Sequence, residues 1–111
     1  VKLINLTPHP VQIWNIDKGV VLIPAANPAA RCHESVSNMR LLEHECSDIK
    51  VVDLSYDYVY NLPESQEGVF YIVSVLVAQA RPERDDLLVP YDLVRNENGS
   101  IMGCRSLARI K

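Results

Sequence analysis

The sequence predicts a β-rich α+β domain: six to eight short strands in a mixed sheet or partly closed barrel, with one short helix. Three observations carry this. Short apolar runs recur along the chain, separated by clusters of Pro, Gly, Asn and Asp. Asn98-Gly99 is a strong two-residue hairpin signal. Ser74, followed by Val75-Leu-Val-Ala-Gln-Ala-Arg81 and then Pro82, combines a cap, a helix-forming run and a stop. At 111 residues, with no linker, repeat or low-complexity stretch, positions 1–111 make a single domain of common size.

Residues 2–7 and 11–16 read as two strands joined by Thr7-Pro-His-Pro10. Each proline ring fixes its own φ and restricts the residue before it, so this corner is stiff. Asp17-Lys18-Gly19 is a turn signal and 20–24 a third strand, which suggests a meander. Residues 25–28 form a loop. From 30 to 36 a strand is favoured over a helix, because serines and the β-branched Val36 weaken helical propensity; an irregular stretch or edge strand follows. The charged residues 43–48 make a turn, and 49–54 a strand. Strict alternation over 55–60 would put Tyr56, Tyr58 and Tyr60 on one face and Asp57 and Val59 on the other. A polar loop closes at Gly68, and 69–73 is a continuous apolar strand of the kind covered on both faces. After the helix and a charged loop at 83–86 come a strand at 87–89 and a turn at 90–92. The chain then runs from 94 through Asn98-Gly99 into a return strand at 100–110, with Gly103 as a bulge. The first strand and 69–73 are expected at the centre.

Composition excludes several classes. A hydrophobic share of 48% with 23% charged residues belongs to an ordered globular chain. A net charge of −3 argues against a duplex nucleic-acid binder, which needs a basic face. The longest apolar run, 69–78, is broken by Ser74 and too short to span a membrane. The first residues lack a signal-peptide layout. Cys32, Cys46 and Cys104 form no C-x-x-C and read as reduced thiols, so a cytoplasmic location is expected. His33 and His44 lie near two of them at spacings that match no metal pattern; neither metal nor cofactor is expected.

No Walker A loop, G-x-S-x-G elbow, paired-histidine motif or Rossmann fingerprint is present, and four glycines are too few for a glycine-rich phosphate cradle. What remains is a dispersed set of polar groups in turns beside apolar strands. Thr7 and His9 sit in the first corner, Ser74 opens the helix, Arg84, Asp85 and Asp86 precede a strand, and Arg105 lies near the last hairpin. Gathered at one end of the sheet, they would suit a phosphodiester, since arginine pairs with phosphate bidentately and tyrosine stacks on bases. A ribose 2′-hydroxyl attacks its neighbouring phosphate without a metal when aligned, charge-neutralised and supplied with a proton acceptor. Histidine is the residue type best suited to that transfer, which makes His9 the first catalytic candidate and Thr7 beside it the other; Ser74, Arg84, Asp85 and Arg105 would hold substrate. Structural readings stand beside each of these. The corner is also a plain turn, Ser74 a plain cap, the 84–86 run a solvated loop with an ion pair, and the tyrosine stripe a half-buried strand face or an interface.

Asn5-Leu-Thr-Pro-His-Pro10 resembles the opening motif of a family of small bacterial and phage hypothetical proteins. The likeness extends to Gly68–Ala78, to Arg84-Asp-Asp-Leu-Leu-Val-Pro90, to Val94-Arg95 and to Gly103-Cys-Arg105, about half the chain, and leaves 25–60 unmatched. The set is similar to ring nucleases linked to type III CRISPR signalling, which degrade cyclic oligonucleotide messengers in antiviral defence. That resemblance implies a small, dimeric, metal-independent enzyme, with Thr7, His9, Ser74, Arg84, Asp85 and Arg105 as the matching polar positions.

Three functions follow as expectations. The first is a phosphodiesterase cleaving cyclic oligonucleotides, acting as a homodimer. The second is a sponge that binds the same messengers without chemistry. The third is a phage structural or protein-interaction domain, in which the tyrosine stripe and 87–94 form an interface.

Overall fold

The computed structural model describes residues 1–17 and 19–111, so Lys18 of the expected 17–19 turn lies outside the described residues. Among them, eight strands and one helix run in the order β1 (Lys2–Asn5), β2 (Val11–Asn15), β3 (Gly19–Ile23), β4 (Arg31–His44), β5 (Ser47–Tyr60), β6 (Val69–Ile72), α1 (Val75–Ala80), β7 (Leu87–Arg95) and β8 (Ile101–Ala108). The architecture is the expected β-rich α+β class. Six strands form a mixed sheet in the order β1-β6-β7-β8-β2-β3, curled into a half-barrel, and β4 and β5 make a separate two-stranded sheet.

The first three strands are not a meander. β1 pairs with β6 in parallel, Lys2 opposite Val69, while β2 pairs antiparallel with β3 and parallel with β8. The rigid Thr-Pro-His-Pro corner carries the chain from β1 at one end of the strand order to β2, next to the other end. β1 is therefore an edge strand, not a central one. Its end is covered by the loop between β3 and β4, where Ala26 N–H donates to Asn5 O at 2.7 Å and Ala30 N–H to Leu6 O at 2.9 Å.

The expectation for 69–73 fares better. Tyr71 and Val73 are buried in one core with Leu6, Val77, Leu87 and Val89, and Ile72, which alternation points to the other face of the sheet, is fully buried as well. Each such side chain contributes about 1.5–3 kcal/mol by leaving water. Ser74 caps α1 by accepting from Val77 N–H at 3.3 Å, and Arg81 N–H closes the last turn on Ala78 O. The chain does reverse at Asn98-Gly99, Gly99 taking φ 81°, but through a loop longer than a two-residue turn: Asn96 N–H donates to Ser100 O at 2.9 Å, and the β7–β8 ladder ends with Arg95 opposite Ile101. The expected turn at 90–92 is instead a kink inside one strand: Pro90 stays opposite Leu107, and Asp92 adopts φ 57°. Near Gly103 the β7–β8 register slips, as a bulge requires. Gly103 also lies so close to β2 that a Cβ there would sit 2.7 Å from Gln12 O.

The largest departure lies at 37–44. The strand at 30–36, the turn within 43–48 and the strand at 49–60 are as expected, but β4 continues without a break through His44, so that β4 and β5 are each 14 residues long and form one hairpin, turning at Glu45-Cys46. At about 3.3 Å per residue such an arm is roughly 45 Å long. It stretches the molecule to 56 × 39 × 26 Å.

Candidate functional site

The Asn5–Pro10 corner is built around a side chain that the sequence reading passed over. Asn5 is 1% exposed. Its Nδ2 donates to His9 O at 2.8 Å and to Ile23 O at 3.1 Å. Its Oδ1 accepts from Thr7 N–H at 2.9 Å, and Thr7 Oγ1 lies 2.6 Å away. One amide thus ties β1, the proline corner and the end of β3 together with its donors and acceptor in use. Thr7 is part of that scaffold. The His9 backbone carbonyl serves it too, whereas the His9 imidazole is exposed and makes no hydrogen bond or ion pair among the described residues.

The six expected site residues line four different depressions or none of them. Thr7 and Ser74 share a cleft of about 470 Å³ between the corner, α1 and the root of the arm. His9 faces a groove beside Gln12, Pro90 and Gly103, next to Cys104, whose thiol burial keeps protonated by raising its pKa. Asp85 borders a depression formed by residues 65–70. Arg105 lies near Trp14 and is paired with Asp92 across the β7–β8 ladder at 3.6 Å. Arg84 lines none of these four. Its guanidinium holds Asp86 bidentately, with both N–O distances 2.8 Å, and donates to Pro63 O at 3.0 Å. That pair fixes the 61–68 loop to the start of β7. It also holds the Asp86 carboxyl below the ordinary range, chiefly through the Arg84 hydrogen bonds and against the opposing effect of burial.

The Thr7–Ser74 cleft has a richer lining than those two residues. Arg31, His33, Tyr56 and Tyr60 from the arm also border it. His33 stacks on Tyr58, with centroids 4.7 Å apart and planes 6° from parallel, and its Nδ1 is 3.2 Å from Asp57 Oδ2. Asp57 is held below its usual carboxylate pKa first by the Ser35 hydroxyl, which donates to it, and then by His33. Ser35 thus engages the carboxylate rather than the imidazole, so the three residues do not form a serine–histidine relay. No group of three or more His, Cys, Asp and Glu side chains could hold a metal ion among the described residues. Among the described residues no helix is long and apolar enough to cross a membrane.

The arm itself has two unlike faces. Val59 stands opposite Cys32, but Tyr56 stands opposite Glu34, so β5 carries an extra residue at Asp57–Tyr58. This bulge breaks the expected tyrosine stripe. Tyr58 and Tyr60 stay with His33 on one face, while Tyr56 turns to the other. A second slip, at Asn38–Met39 with Asn38 at φ 54°, restores the alternation towards the tip. The face bearing Tyr58 is polar over its middle: Asp57 bonds with Ser35, and Asp53 takes hydrogen bonds from Asn38 and Arg40.

The opposite face begins at Cys32 and Val59, which rest against the domain core. It then runs outward through Tyr56, Val36, Leu54, Val52 and Leu41. These five are 37–61% exposed. Tyr56, nearest the root, also borders the cleft beside α1, and among the described residues the other four keep at least 37% of their surface exposed. Comparison with known proteins adds no constraint: no protein-family model, curated protein or solved structure matches the chain.

Proposed function

We propose that this chain is a protein-interaction module whose contact element is the β4–β5 arm. One observation carries the reading. The face that seals the domain core at Cys32 and Val59 continues outward as an apolar strip, with Leu41 still 61% exposed. A two-stranded ribbon alone is marginally stable in water, and contiguous apolar patches of this kind mark interaction surfaces. A photo-crosslinking amino acid in place of Leu54, on the apolar face, should give discrete adducts in the native host. The same group in place of Ser37, on the polar face, should give far fewer. No adduct from position 54, or equal yields from both, would overturn the reading.

The Thr7–Ser74 cleft supports a second reading, the metal-independent phosphodiesterase or messenger sponge. Arg31 and two tyrosines offer charge and stacking surfaces there, and the proton-transfer group on this geometry is His33, because His9 faces a different groove. Cyclic di- to hexanucleotides should be cleaved in the presence of EDTA, or bound and recovered intact, and Arg31→Ala should abolish either behaviour. Ligands neither cleaved nor bound across the histidine titration range would sink this reading.

A further inference from the structure

Resting on the interaction reading, we propose that the partner of the arm is the arm of a second copy, apolar face to apolar face and antiparallel about a two-fold axis. Charge selects this arrangement. Along the strip the cross-strand rows are Glu34 with Tyr56, Val36 with Leu54, Val52, and Leu41 with Lys50. Glu34 thus bounds the strip near the root and Lys50 bounds it towards the tip, and neither has an ion-pair partner among the described residues. A two-fold axis across the middle of the strip lays the Glu34–Tyr56 row of each copy over the Leu41–Lys50 row of the other, with Glu34 and Lys50 diagonal neighbours within reach of their long side chains, twice. A parallel arrangement would oppose Glu34 to Glu34. A slip of one row further would oppose it to the Glu43–Asp48 row at the tip. Both meet like charge, which is unfavourable at an interface.

The area is also adequate. Four rows of half-exposed side chains on a twisted ribbon bury on the order of 600 Å² per copy, so about 1,200 Å² in all, the lower bound for a stable specific interface. A two-fold contact uses the same patch on both copies, and this strip is self-complementary in that sense.

Sedimentation equilibrium over a dilution series tests the proposal, with circular dichroism to verify that each variant is folded. The wild-type chain should be a dimer that dissociates on dilution, and Leu54→Ser should be a monomer. Glu34→Lys and Lys50→Glu should each weaken association about tenfold, and the double exchange should restore it. A wild-type monomer throughout, or a double exchange no better than the singles, would overturn the proposal. A dimer formed by strand addition at a ribbon edge would ignore the charge exchanges and would overturn it as well. If the chain is a monomer but position 54 crosslinks to a different protein, this inference fails and the interaction reading stands. If it is a monomer and position 54 gives no adduct, both fail.

Discussion

Asn5→Ala is expected to lower the free energy of unfolding by about 3 kcal/mol, read as a drop in the urea midpoint at unchanged slope. The substitution removes two donors and an acceptor from a site that is 1% exposed, taking the Asn5 partner from the Ile23 carbonyl and the Thr7 N–H and leaving the His9 carbonyl with the Thr7 hydroxyl alone. Asn5→Asp should be at least as damaging at neutral pH. A carboxylate still accepts from Thr7, but it sets a negative oxygen against two carbonyl oxygens. His9→Ala, by contrast, leaves the backbone carbonyl in place and should stay within about 0.5 kcal/mol of wild type. Equal effects at positions 5 and 9 would refute the assignment of the corner to Asn5.

Arg84→Ala should cost a similar amount, about 3 kcal/mol, because it strands a carboxylate that is only 5% exposed. The pair also gives stability a direction in pH. Asp86 has a lower pKa folded than unfolded, so the unfolded chain takes up its proton first as the solution is acidified. The contribution is complete above the ordinary carboxylate value of about 4 and is lost as pH falls through the depressed folded value. Urea midpoints measured across the acid range should therefore fall less steeply for Asp86→Asn than for wild type. The penalty of Arg84→Ala should shrink in the same window, as protonation removes the stranded charge. Parallel acid limbs for wild type and Asp86→Asn would refute this. Asp57 is also depressed, but it lies on the exposed arm, where water and salt screen its pairing with His33.

Local signals made much of the domain legible. The cap at Ser74, the Pro82 stop, the Asn98-Gly99 turn and the apolar 69–73 run each act over a few residues, and each marks its element correctly. Pairing over long distances was not legible: nothing in residues 2–5 specifies a parallel partner at 69–72 in place of a neighbouring strand. The full length of β4 and the facing of the tyrosines are hidden for another reason. β4 carries serines and charges at positions where a strand of a closed sheet would be apolar, so its length is hidden from pattern reading. The bulge at Asp57–Tyr58 then reverses the parity that alternation relies on.

The candidate site divides along the same line. Thr7 and Ser74 were recognised as junction residues and do share a cleft. Arg84 and Arg105 are expected to hold substrate, with an ion pair as the alternative for the 84–86 run, and in the structure each has a carboxylate close by, Asp86 two positions on and Asp92 across the ladder. Asn5 was overlooked because a buried amide inside an apolar strand has no spacing signature. The requirement that buried polar groups be satisfied is the one signal that could have found it. His33 and Arg31 lay in the stretch without a recognisable motif.

The pairing of Lys2 with Val69 also bears on how fast the chain folds. The arm is a local hairpin whose strands meet through a two-residue turn, so it can zip up within microseconds. Joining β1 to β6 must instead close a loop containing the whole arm, and such distant contacts slow the search for the native topology. Yet lengthening or trimming the arm changes that closure only logarithmically, by about 0.6 kcal/mol per doubling of the loop. Arm length is therefore nearly decoupled from the folding barrier, leaving the chain free to vary its reach while the half-barrel folds at much the same rate.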